Sequence, residues 1–556
     1  MAEHTIEENL IRLQNAQAAI ATAITEMGGT VTTGDGFEDF PADIRTISTS
    51  TFSATLTVTT AANASVTASM TGHSVTGAAN SSGIATLTIT DPGTYTVQAT
   101  KDGISSDTDT ASVMTHQSTV TAECAFITLS LTAPQGSTYT LTDGTTTYTG
   151  TSTGDAVTYY LPNTGAWTAS CTDGEQSASQ AVTVSAYTAY TVNLAYVHVY
   201  GVIWDKTQPA TTLTRTDDAA NFANPDPYVN DGNHPGSSPF DNLMPWSGMV
   251  KETFDDGNVM VKIPKFWYKI ENSNNSLKIQ IADAAQDGFK VSPAHQARNA
   301  NETDRDYVYL GRYKSGVETN QEGYGYSTSK TGINPAVDKT RSVFRIWAVL
   351  AGEGYWQQDF AMFWTVRLLY IVEFADWNSQ AVIGYGGGNG SSVQGTGSTD
   401  NMPYNTGTMQ TSRTTYGVGC QYRWIEDLWG NINEWVDGIY FSGSDIYIIK
   451  DPAIFSDTTG GVNTGTIATS TGFISNLVTG SGDYDWAMYP PANGTDGSNS
   501  TYIPDYYYGS SGVVLRVGSG WDHYQNFGLF CLNGNYGASD AYSSIGSRLM
   551  YLPPQS

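Results

Sequence analysis

Apolar residues near the N-terminus recur with a helical spacing. Seven positions within residues 5–27 are separated alternately by four and three residues: Ile6, Leu10, Leu13, Gln17, Ile20, Ile24 and Met27. This a/d pattern predicts a helix with a coiled-coil stripe, and Gly28-Gly29 predicts its end. Three heptads alone are marginal in water. Two interpretations stay open for segment 1–48: a parallel coiled coil that trimerises and attaches the chain, or an amphipathic helix packed on its own domain.

The next region alternates Thr, Val and Ser with short turns, as in SATLTVTT and QAVTVSAYTAYTVNLAYV. This pattern is typical of half-buried strands. A repeat relates GTYTVQATKDG, which starts at Gly93, to GAWTASCTDG, which starts at Gly165. We predict two immunoglobulin-like β-sandwich modules, at 50–115 and 117–198, that form a stalk. Tyr95 and Trp167 occupy the same repeat position and are expected in the two cores.

A third region, 199–556, is rich in Trp, Tyr, Phe, Asp, Asn and Gly and predicts strands joined by long structured loops. Its one predicted helix spans 360–380. Leu368, Ile371, Val372 and Ala375 lie on one face of that helix at helical spacing.

The charge balance restricts the class of partner. The chain has 53 acidic and 25 basic residues and a net charge of −28. Nucleic-acid binders need clustered Lys and Arg, and anionic membranes attract basic segments, so neither partner is expected. No stretch approaches the roughly 20 apolar residues of a membrane span, and the N-terminus lacks the apolar core of a secretory signal. We therefore expect no membrane insertion.

Cysteine and histidine give no pattern typical of a metal site. Cys124 with Cys171, or Cys420 with Cys531, could form a disulfide, but buried free thiols are an equal alternative. The seven histidines are scattered, and no His-x-x-His or Cys-x-x-Cys spacing occurs. We expect no metal, no cofactor and no catalytic residue.

Three motifs near the C-terminus carry a family resemblance. LWGNINEWV begins at Leu428, VLRVGSGW ends at Trp521, and IGSRL begins at Ile545. They resemble, in order, the LWGNVWEWV, RVLRGGSW and IGFRL motifs of the C-type lectin fold of formylglycine-generating-enzyme type. The resemblance is clear over 360–552. It implies a mainly β chain with an α+β head: an N-terminal helix, two immunoglobulin-like sandwiches and a C-terminal C-type lectin fold.

The same motifs are understandable as scaffold. Four tryptophans each carry enough apolar surface to dominate a core: Trp424, Trp429, Trp435 and Trp521. Gly430 and Gly518 allow turns that a side chain would block. Asn431 and Glu434 are expected to satisfy buried backbone groups in those turns.

The C-type lectin fold that these motifs resemble occurs in a group of enzymes and in a group of binding proteins, called here the enzyme branch and the binding branch. The enzyme branch uses a pair of cysteines near the C-terminal strand to bind copper and oxidise a thiol. Here only Cys531 lies in that region, and Cys420 is more than 100 residues away. We therefore expect no enzyme; a formylglycine-generating-type oxidase is the remote alternative.

The binding branch includes proteins that retroelements diversify between the last two motifs. The corresponding stretch here, about 513–550, contains WDHYQNFGLFCLNGNYGASDAYSSIG. When the adenines of an Asn codon are randomised, the codon can encode several other residue types. Residues of these types are predicted to form the variable ligand-binding face of this stretch: Asp522, His523, Phe527, Gly534, Tyr536, Gly537, Asp540, Tyr542 and Ser544. Leu529, Phe530 and Leu532 are expected in the core. Tyr and Phe give contact area with few rotatable bonds, and Ser, Gly and Asp give adaptable contacts.

The resemblance implies a phage tail receptor-binding protein, or tropism determinant, located on the virion at the tail tip or fibre. Its partners would be a host bacterial surface protein or glycan and, through the N-terminus, the phage tail or baseplate. A homotrimer would add avidity. The alternative is a bacterial surface-displayed lectin-like binding protein with the same head.

Overall fold

The computed structural model describes residues 6–27, 29–32, 34, 36–44, 52–174, 176–387, 392–509, 512–522 and 527–555. The chain divides into two compact units, Met1–Tyr196 and Val197–Ser556. The predicted fold class is confirmed: the protein is mainly β, with an N-terminal helix, several packed sheets and further helices in the second unit. Within the described ranges, no helix is long and apolar enough to cross a membrane.

The N-terminal helix exposes most of its apolar stripe. Helix α1 spans Ile6–Glu26 and the short helix α2 spans Phe40–Ile44. Ile6 is 89% exposed, and Leu10 and Leu13 are each 55% exposed. Ile24, by contrast, is buried, and α1 contacts α2. The C-terminal end of α1 therefore packs on its own unit, whereas the rest of the stripe faces solvent.

The first sandwich has seven strands: β1 (Ala54–Thr59), β2 (Ser65–Met70), β3 (His73–Ala78), β4 (Ile84–Ile89), β5 (Gly93–Lys101), β6 (Ile104–Val113) and β7 (Thr119–Glu123). They form two sheets, ordered β4-β1-β7 and β3-β2-β5-β6. Strand β7 pairs in parallel with β1. The first module therefore continues to about residue 123 and past the predicted boundary at 115, because its last strand returns to the first one.

The second sandwich also has seven strands within 126–174 and 176–196: β8 (Thr128–Thr132), β9 (Thr138–Thr142), β10 (Thr147–Thr151), β11 (Val157–Tyr160), β12 (Gly165–Thr172), β13 (Ser177–Val184) and β14 (Ala189–Asn193). Its sheets are ordered β10-β9-β12-β13 and β11-β8-β14.

The sequence repeat corresponds to a structural repeat. Tyr95 on β5 and Trp167 on β12 are both buried in their cores, as predicted. Each donates its polar hydrogen to a carbonyl four residues earlier: Tyr95 Oη to Asp91 at 2.9 Å and Trp167 Nε1 to Asn163 at 3.4 Å. A buried aromatic side chain with one satisfied polar group is the preferred arrangement for these residue types. The repeat position is therefore structural in both modules.

In the second unit, the described residues form 26 strands. They are β15 (Val199–Asp205), β16 (Thr214–Asp217), β17 (Tyr228–Val229), β18 (Val250–Thr253), β19 (Val259–Pro264), β20 (Trp267–Asn272), β21 (Ser276–Ala282), β22 (Lys290–Val291), β23 (Tyr307–Gly311), β24 (Gly316–Thr319), β25 (Gly325–Thr328), β26 (Tyr355–Gln357), β27 (Gly407–Thr408), β28 (Cys420–Tyr422), β29 (Ile425–Glu426), β30 (Asn433–Ser442), β31 (Asp445–Ile448), β32 (Val462–Thr466), β33 (Gly472–Ile474), β34 (Val478–Thr479), β35 (Met488–Tyr489), β36 (Ile503–Tyr508), β37 (Val514–Val517), β38 (Leu532–Tyr536), β39 (Ile545–Gly546) and β40 (Leu549–Tyr551).

Two sheets position the C-terminal segment. One is ordered β32-β31-β30-β37-β38-β36-β33, with β39 also paired to β30. The other is ordered β18-β19-β23-β40-β26. The other sheets of this unit are ordered β16-β15-β21-β20-β22, β17-β27-β28-β29, β24-β25 and β34-β35. The last two sequence motifs therefore lie in β37 and β39, and the predicted variable segment runs between them.

A buried helix forms the centre of the second unit. Helix α3 spans Arg341–Leu350, α4 spans Phe360–Phe374 and α5 spans Ser379–Val382. Every residue of α4 is buried. The Asp359 side chain caps α4 by accepting from Met362 N at 2.7 Å, and Ala375 ends it in the left-handed conformation. The helix is thus shorter than the predicted 360–380 and is buried on all faces, and α3 was not predicted.

Candidate ligand-binding face

The three motifs form a buried framework beside the predicted variable segment. Trp429 and Trp435 are fully buried, as expected. Trp424 and Trp521 are only half-buried, which corrects their predicted place in the core. Gly430 has a φ of +84°, and a Cβ there would lie 2.6 Å from the carbonyl oxygen of Gly387. The motif glycine is therefore required both by its conformation and by the close approach of backbone.

Asn431 satisfies backbone groups as predicted. Its side chain accepts from Gln394 N at 2.9 Å and donates to Gln394 O at 3.0 Å. The reciprocal pair fixes the loop at Gln394 against the LWGNINEWV motif. A buried amide whose oxygen and nitrogen are both used is a low-energy arrangement.

Glu434 has a different role from the predicted one, because its partners are cations. Its Oε1 accepts from Lys314 Nζ at 3.0 Å and from the Arg548 guanidinium at 2.7 and 3.0 Å. All three side chains are at most 2% exposed. Burial alone would raise the pKa of Glu434, but Arg548 and Lys314 lower it below its usual value. The ion pair of Glu434 with Arg548 joins β30 to the segment between β39 and β40.

Arg548 is also a hub of backbone contacts. Its guanidinium donates to the carbonyl oxygens of four residues at 2.8–3.1 Å: Gly311, Arg312, Glu426 and Asp427. The arginine of the closing IGSRL motif therefore ties three separate segments together. This fixes the chain directly after the variable segment.

Two tyrosines of the predicted face lie against each other at the surface. The rings of Tyr536 and Tyr542 are 5.2 Å apart and nearly perpendicular, at 83°. Tyr542 is 48% exposed and Tyr536 is half-buried. Tyr536 also approaches buried Trp435, with ring centroids 6.5 Å apart. The two rings therefore continue the core outward as a small aromatic surface.

The other predicted face residues differ in exposure. Asp522 is exposed, and Phe527, Gly537, Asp540 and Ser544 are half-buried. Gly534, in contrast, is buried within β38, because it lies inside a strand that is paired on both sides, so it adds no exposed surface. His523 lies outside the described residues. We call the seven residues with exposed surface the variable face: Asp522, Phe527, Tyr536, Gly537, Asp540, Tyr542 and Ser544.

The backbone of the variable face is held by hydrogen bonds to the framework. The carbonyl oxygen of Tyr542 accepts from Ile545 N at 3.0 Å and from Asp338 N at 3.2 Å. The carbonyl oxygen of Ser544 accepts from Asn433 N at 2.8 Å. Asp540 closes its own turn by accepting from Gly537 N at 2.7 Å. Main-chain position therefore depends little on the side chains of Tyr542 and Ser544.

A buried arginine lies directly beneath this surface. The guanidinium of Arg516 stacks on Tyr536, with its Cζ 3.9 Å from the ring centroid, and Arg516 is only 4% exposed. Burial lowers the pKa of Arg516, while Tyr536, Tyr508 and Asp522 oppose that effect. Arg516 on β37 and Tyr508 on β36 are both in register with Asn533 of β38, so a second aromatic group lies across the sheet from Arg516.

The second aromatic group was not predicted. Tyr506 and Tyr508 on β36 are half-buried and alternate with buried Tyr507. Phe527 lies 5.8 Å from Tyr506 and 6.3 Å from Tyr508, between ring centroids. The alternation in IPDYYY was available in the sequence as a strand signal, but only the pairing of β36 with β38 places these tyrosines beside the variable face.

The start of β38 is anchored from below by Asp505. Its carboxylate accepts from Gly528 N at 2.6 Å and from Phe530 N at 2.7 Å. Burial raises the pKa of Asp505 to about 6, although these two bonds and Arg367 lower it. Leu529, Phe530 and Leu532 are buried, as predicted. The loop that follows the undescribed residues 523–526 is thus fixed at the framework.

The four cysteines are free and buried. Cys124 and Cys171 belong to the cores of different sandwiches. Of the two alternatives left open by the sequence, the structure has buried free thiols and no disulfide in either candidate pair. Burial raises the pKa of the Cys420 thiol to about 12 and that of Cys531 well above its usual value. In the described ranges, no three His, Cys, Asp or Glu side chains are grouped as a metal site would need.

Comparisons with known proteins assign the chain to no family. No protein-family model matches it, and no curated protein sequence is similar to it.

Among solved structures, three similar proteins are the TIE protein of Bacillus anthracis, the minor pilin GBS52 of Streptococcus agalactiae and a Ca²⁺-stabilised adhesin of an Antarctic bacterium. Their sequence identities are 12%, 10% and 12%, and their TM-scores are 0.13, 0.17 and 0.08. The matches cover 30%, 26% and 48% of this chain. They cover 42%, 95% and 64% of the other chains, so this chain spans less than half of the TIE protein. At these TM-scores the likenesses carry no argument about fold or function.

Proposed function

We propose that the protein is a phage tail receptor-binding protein, or tropism determinant, which docks on a bacterial surface ligand through the variable face. The N-terminal segment attaches the chain to the tail or baseplate, the two sandwiches act as a stalk, and the second unit is a C-type lectin-type head. Docking is non-covalent.

One observation carries this proposal: the polar and aromatic side chains of the variable face project from a main chain whose position is fixed by hydrogen bonds to the framework. Tyr542 is the clearest case, since two framework amides hold its carbonyl oxygen while its ring is 48% exposed. Within the described residues, neither Tyr536 nor Tyr542 makes a hydrogen bond through its hydroxyl group. An exposed side chain such as that of Tyr542 can be exchanged with little loss of stability, which suits diversification by a retroelement.

The composition of the face suits recognition of varied ligands. Tyrosine rings supply rigid contact area, and Ser, Gly and Asp supply adaptable polar contacts. The adjacent Tyr506 and Tyr508 extend the aromatic area beyond the positions named from the sequence. A protein and a glycan both offer the apolar patches and hydroxyl or amide groups that this surface fits.

Binding is favoured over catalysis by the state of the cysteines. A reactive cysteine is exposed and has a lowered pKa. Cys531 is completely buried and its pKa is raised, and Cys420 is in the same condition. The thiols are therefore protonated and out of reach of a peptide substrate, which argues against an oxidase of formylglycine-generating type.

We expect the labelled full chain to bind intact cells of some strains in a panel of bacteria and not others. The double variant Tyr536→Ser/Tyr542→Ser should lose at least about tenfold in apparent affinity, because large aromatic contacts dominate interfaces. Flow cytometry measures the binding. The matched control is Tyr324→Ser, since Tyr324 is 59% exposed on the β24–β25 hairpin loop. Binding that is unaffected by the double variant, or equally lost in the control, would contradict the proposal.

A further inference from the structure

Arg516 differs from the other buried arginines of the second unit. Among the described residues of that unit, six buried arginines form ion pairs with carboxylates: Arg298, Arg305, Arg312, Arg341, Arg423 and Arg548. Another, Arg367, donates to the backbone carbonyl oxygens of Leu529 and Phe363 at 3.0 and 3.1 Å. Buried charged groups are normally paired or hydrogen-bonded in these ways, so a buried arginine with neither kind of partner needs an explanation.

The guanidinium of Arg516 uses few of its donors within the protein. In the described part of the chain, no carboxylate pairs with it and its Nε has no hydrogen-bond partner. Its Nη1 donates to Asn433 Oδ1 at 3.2 Å, with the Asn433 amide in the orientation that satisfies both of its polar atoms. A guanidinium has five N–H donors, and Arg516 is only 4% exposed. Arg516 is therefore a buried cation with unused hydrogen-bonding capacity.

The ring of Tyr536 covers this cation. The Cζ of Arg516 lies 3.9 Å from the ring centroid, which leaves no room for another atom between them. The nearest other rings are those of Tyr542, at 5.2 Å, and Trp435, at 6.5 Å. No described residue forms a hydrogen bond with the hydroxyl group of Tyr536. A change of side-chain rotamer can therefore uncover Arg516 without breaking a hydrogen bond.

A carboxylate on a six-membered ring fits the uncovered position. Two carboxylate oxygens accept two parallel N–H bonds from one guanidinium, and these charge-assisted bonds are stronger than a cation–π contact. The ring that bears the carboxylate then takes the place of the phenol ring. The net charge of −28 repels anions from the chain as a whole, but at physiological salt this repulsion is screened beyond about 8 Å. The local cation therefore decides whether an anion binds.

We propose that Arg516 binds the carboxylate of an acidic sugar in the bacterial surface ligand, after the ring of Tyr536 has moved aside. The proposal rests on the variable face as the docking surface and names the class of ligand that this face recognises. Position 536 thus controls access to a cation that belongs to the framework.

The test compares methyl β-D-glucuronide with methyl β-D-glucoside, its neutral counterpart, by ligand-observed NMR titration of the full chain at physiological salt. We expect the glucuronide to bind at least about tenfold more tightly, because only its carboxylate pairs with the guanidinium. N-acetyl-aspartate methylamide, which represents a protein carboxylate, should bind more weakly than the glucuronide because it has no ring to replace that of Tyr536. Equal binding of the two sugars, or tighter binding of the aspartate derivative, would overturn the proposal.

Substitutions separate the cation from its cover. Arg516→Gln should abolish glucuronide binding, and Arg516→Lys, which keeps the charge but not the planar fork, should weaken it several-fold. The unfolding temperature of Arg516→Gln should stay near that of the parent, since no carboxylate is left unpaired. Tyr536→Ser should tighten glucuronide binding several-fold, because no ring has to be displaced. Tyr324→Ser is the matched control, at an exposed tyrosine on the β24–β25 hairpin loop, and should bind as the parent does.

Glucuronide binding that persists in Arg516→Gln, or that is lost in Tyr536→Ser, would contradict the assignment. These measurements need no bacterial cells and so can fail independently of the proposed function. If the glucuronide did not bind while Tyr536→Ser/Tyr542→Ser still lost binding to cells, docking through the variable face would stand and the acidic sugar would be wrong.

Discussion

Glu434→Ala is expected to destabilise the second unit by about 3–5 kcal/mol, the usual cost of removing one partner of a buried ion pair. In the parent protein, Lys314 and Arg548 both form ion pairs with Glu434 Oε1. The substitution removes that carboxylate and leaves the two cations buried. Urea unfolding followed by tryptophan fluorescence measures the loss. All of the 13 tryptophans except Trp167 lie in the second unit, so the signal reports on it.

Glu318→Ala is the matched control for this prediction. Glu318 pairs with Lys330 at 2.7 Å, but its side chain is 38% exposed. An exposed pair is worth at most about 1 kcal/mol, so the control should unfold near the parent. If Glu434→Ala lowered the free energy of unfolding no more than Glu318→Ala does, the buried ion pair would not be what holds the LWGNINEWV and IGSRL motifs together.

Leu13→Glu is expected to convert a trimer of the full chain into a monomer. Leu13 lies in the exposed part of the a/d stripe, and a charge there cannot be buried between helices without a large desolvation cost. Loss of the trimer should also reduce apparent affinity for bacterial cells by about 10²–10⁴-fold, since linked sites bind with avidity. Sedimentation equilibrium measures the first effect and cell binding the second.

Asn15→Glu provides the control, because Asn15 is also exposed on α1 but lies outside the stripe. This variant should remain trimeric and keep its affinity. A parent chain that sediments as a monomer would instead support the other interpretation of α1, in which the helix packs only on its own unit as Ile24 does.

The elements predicted best from the sequence are those with strong local patterns. The stripe of α1, the alternating strands of the stalk and the repeat at Tyr95 and Trp167 follow from short-range periodicity. The buried tryptophans Trp429 and Trp435 and the turn at Gly430 follow from motifs whose residue types have few alternatives.

The elements missed depend on contacts between distant segments. Strand β7 belongs to the first sandwich only because it pairs with β1, more than 60 residues earlier. Glu434 looked like a group that satisfies nearby backbone, whereas its partners Lys314 and Arg548 are each more than 110 residues away. Trp521 remains half-buried although tryptophan usually prefers a core.

In the candidate site, too, local patterns were predictive and contacts between distant segments were not. The outward position of Tyr542 was foreseen because no apolar alternation accompanies it. Gly534 was assigned to the face from its residue type alone, but pairing on both sides of β38 buries it. Tyr508 comes to lie beside the variable face, and Arg516 beneath it, through pairing among β36, β37 and β38, which the sequence does not place side by side.

The most direct test of a replaceable face on a fixed framework is a display library randomised at the seven residues of the variable face. Each variant is sorted in parallel for protease resistance, which reports folding, and for binding to bacterial cells. A matched library randomises seven buried framework residues of the second unit. We expect most face variants to fold and to change their cell specificity, whereas most framework variants should unfold. Face variants that unfold as often as the framework variants, or folded face variants that bind the same cells as the parent, would contradict a replaceable face on a fixed framework.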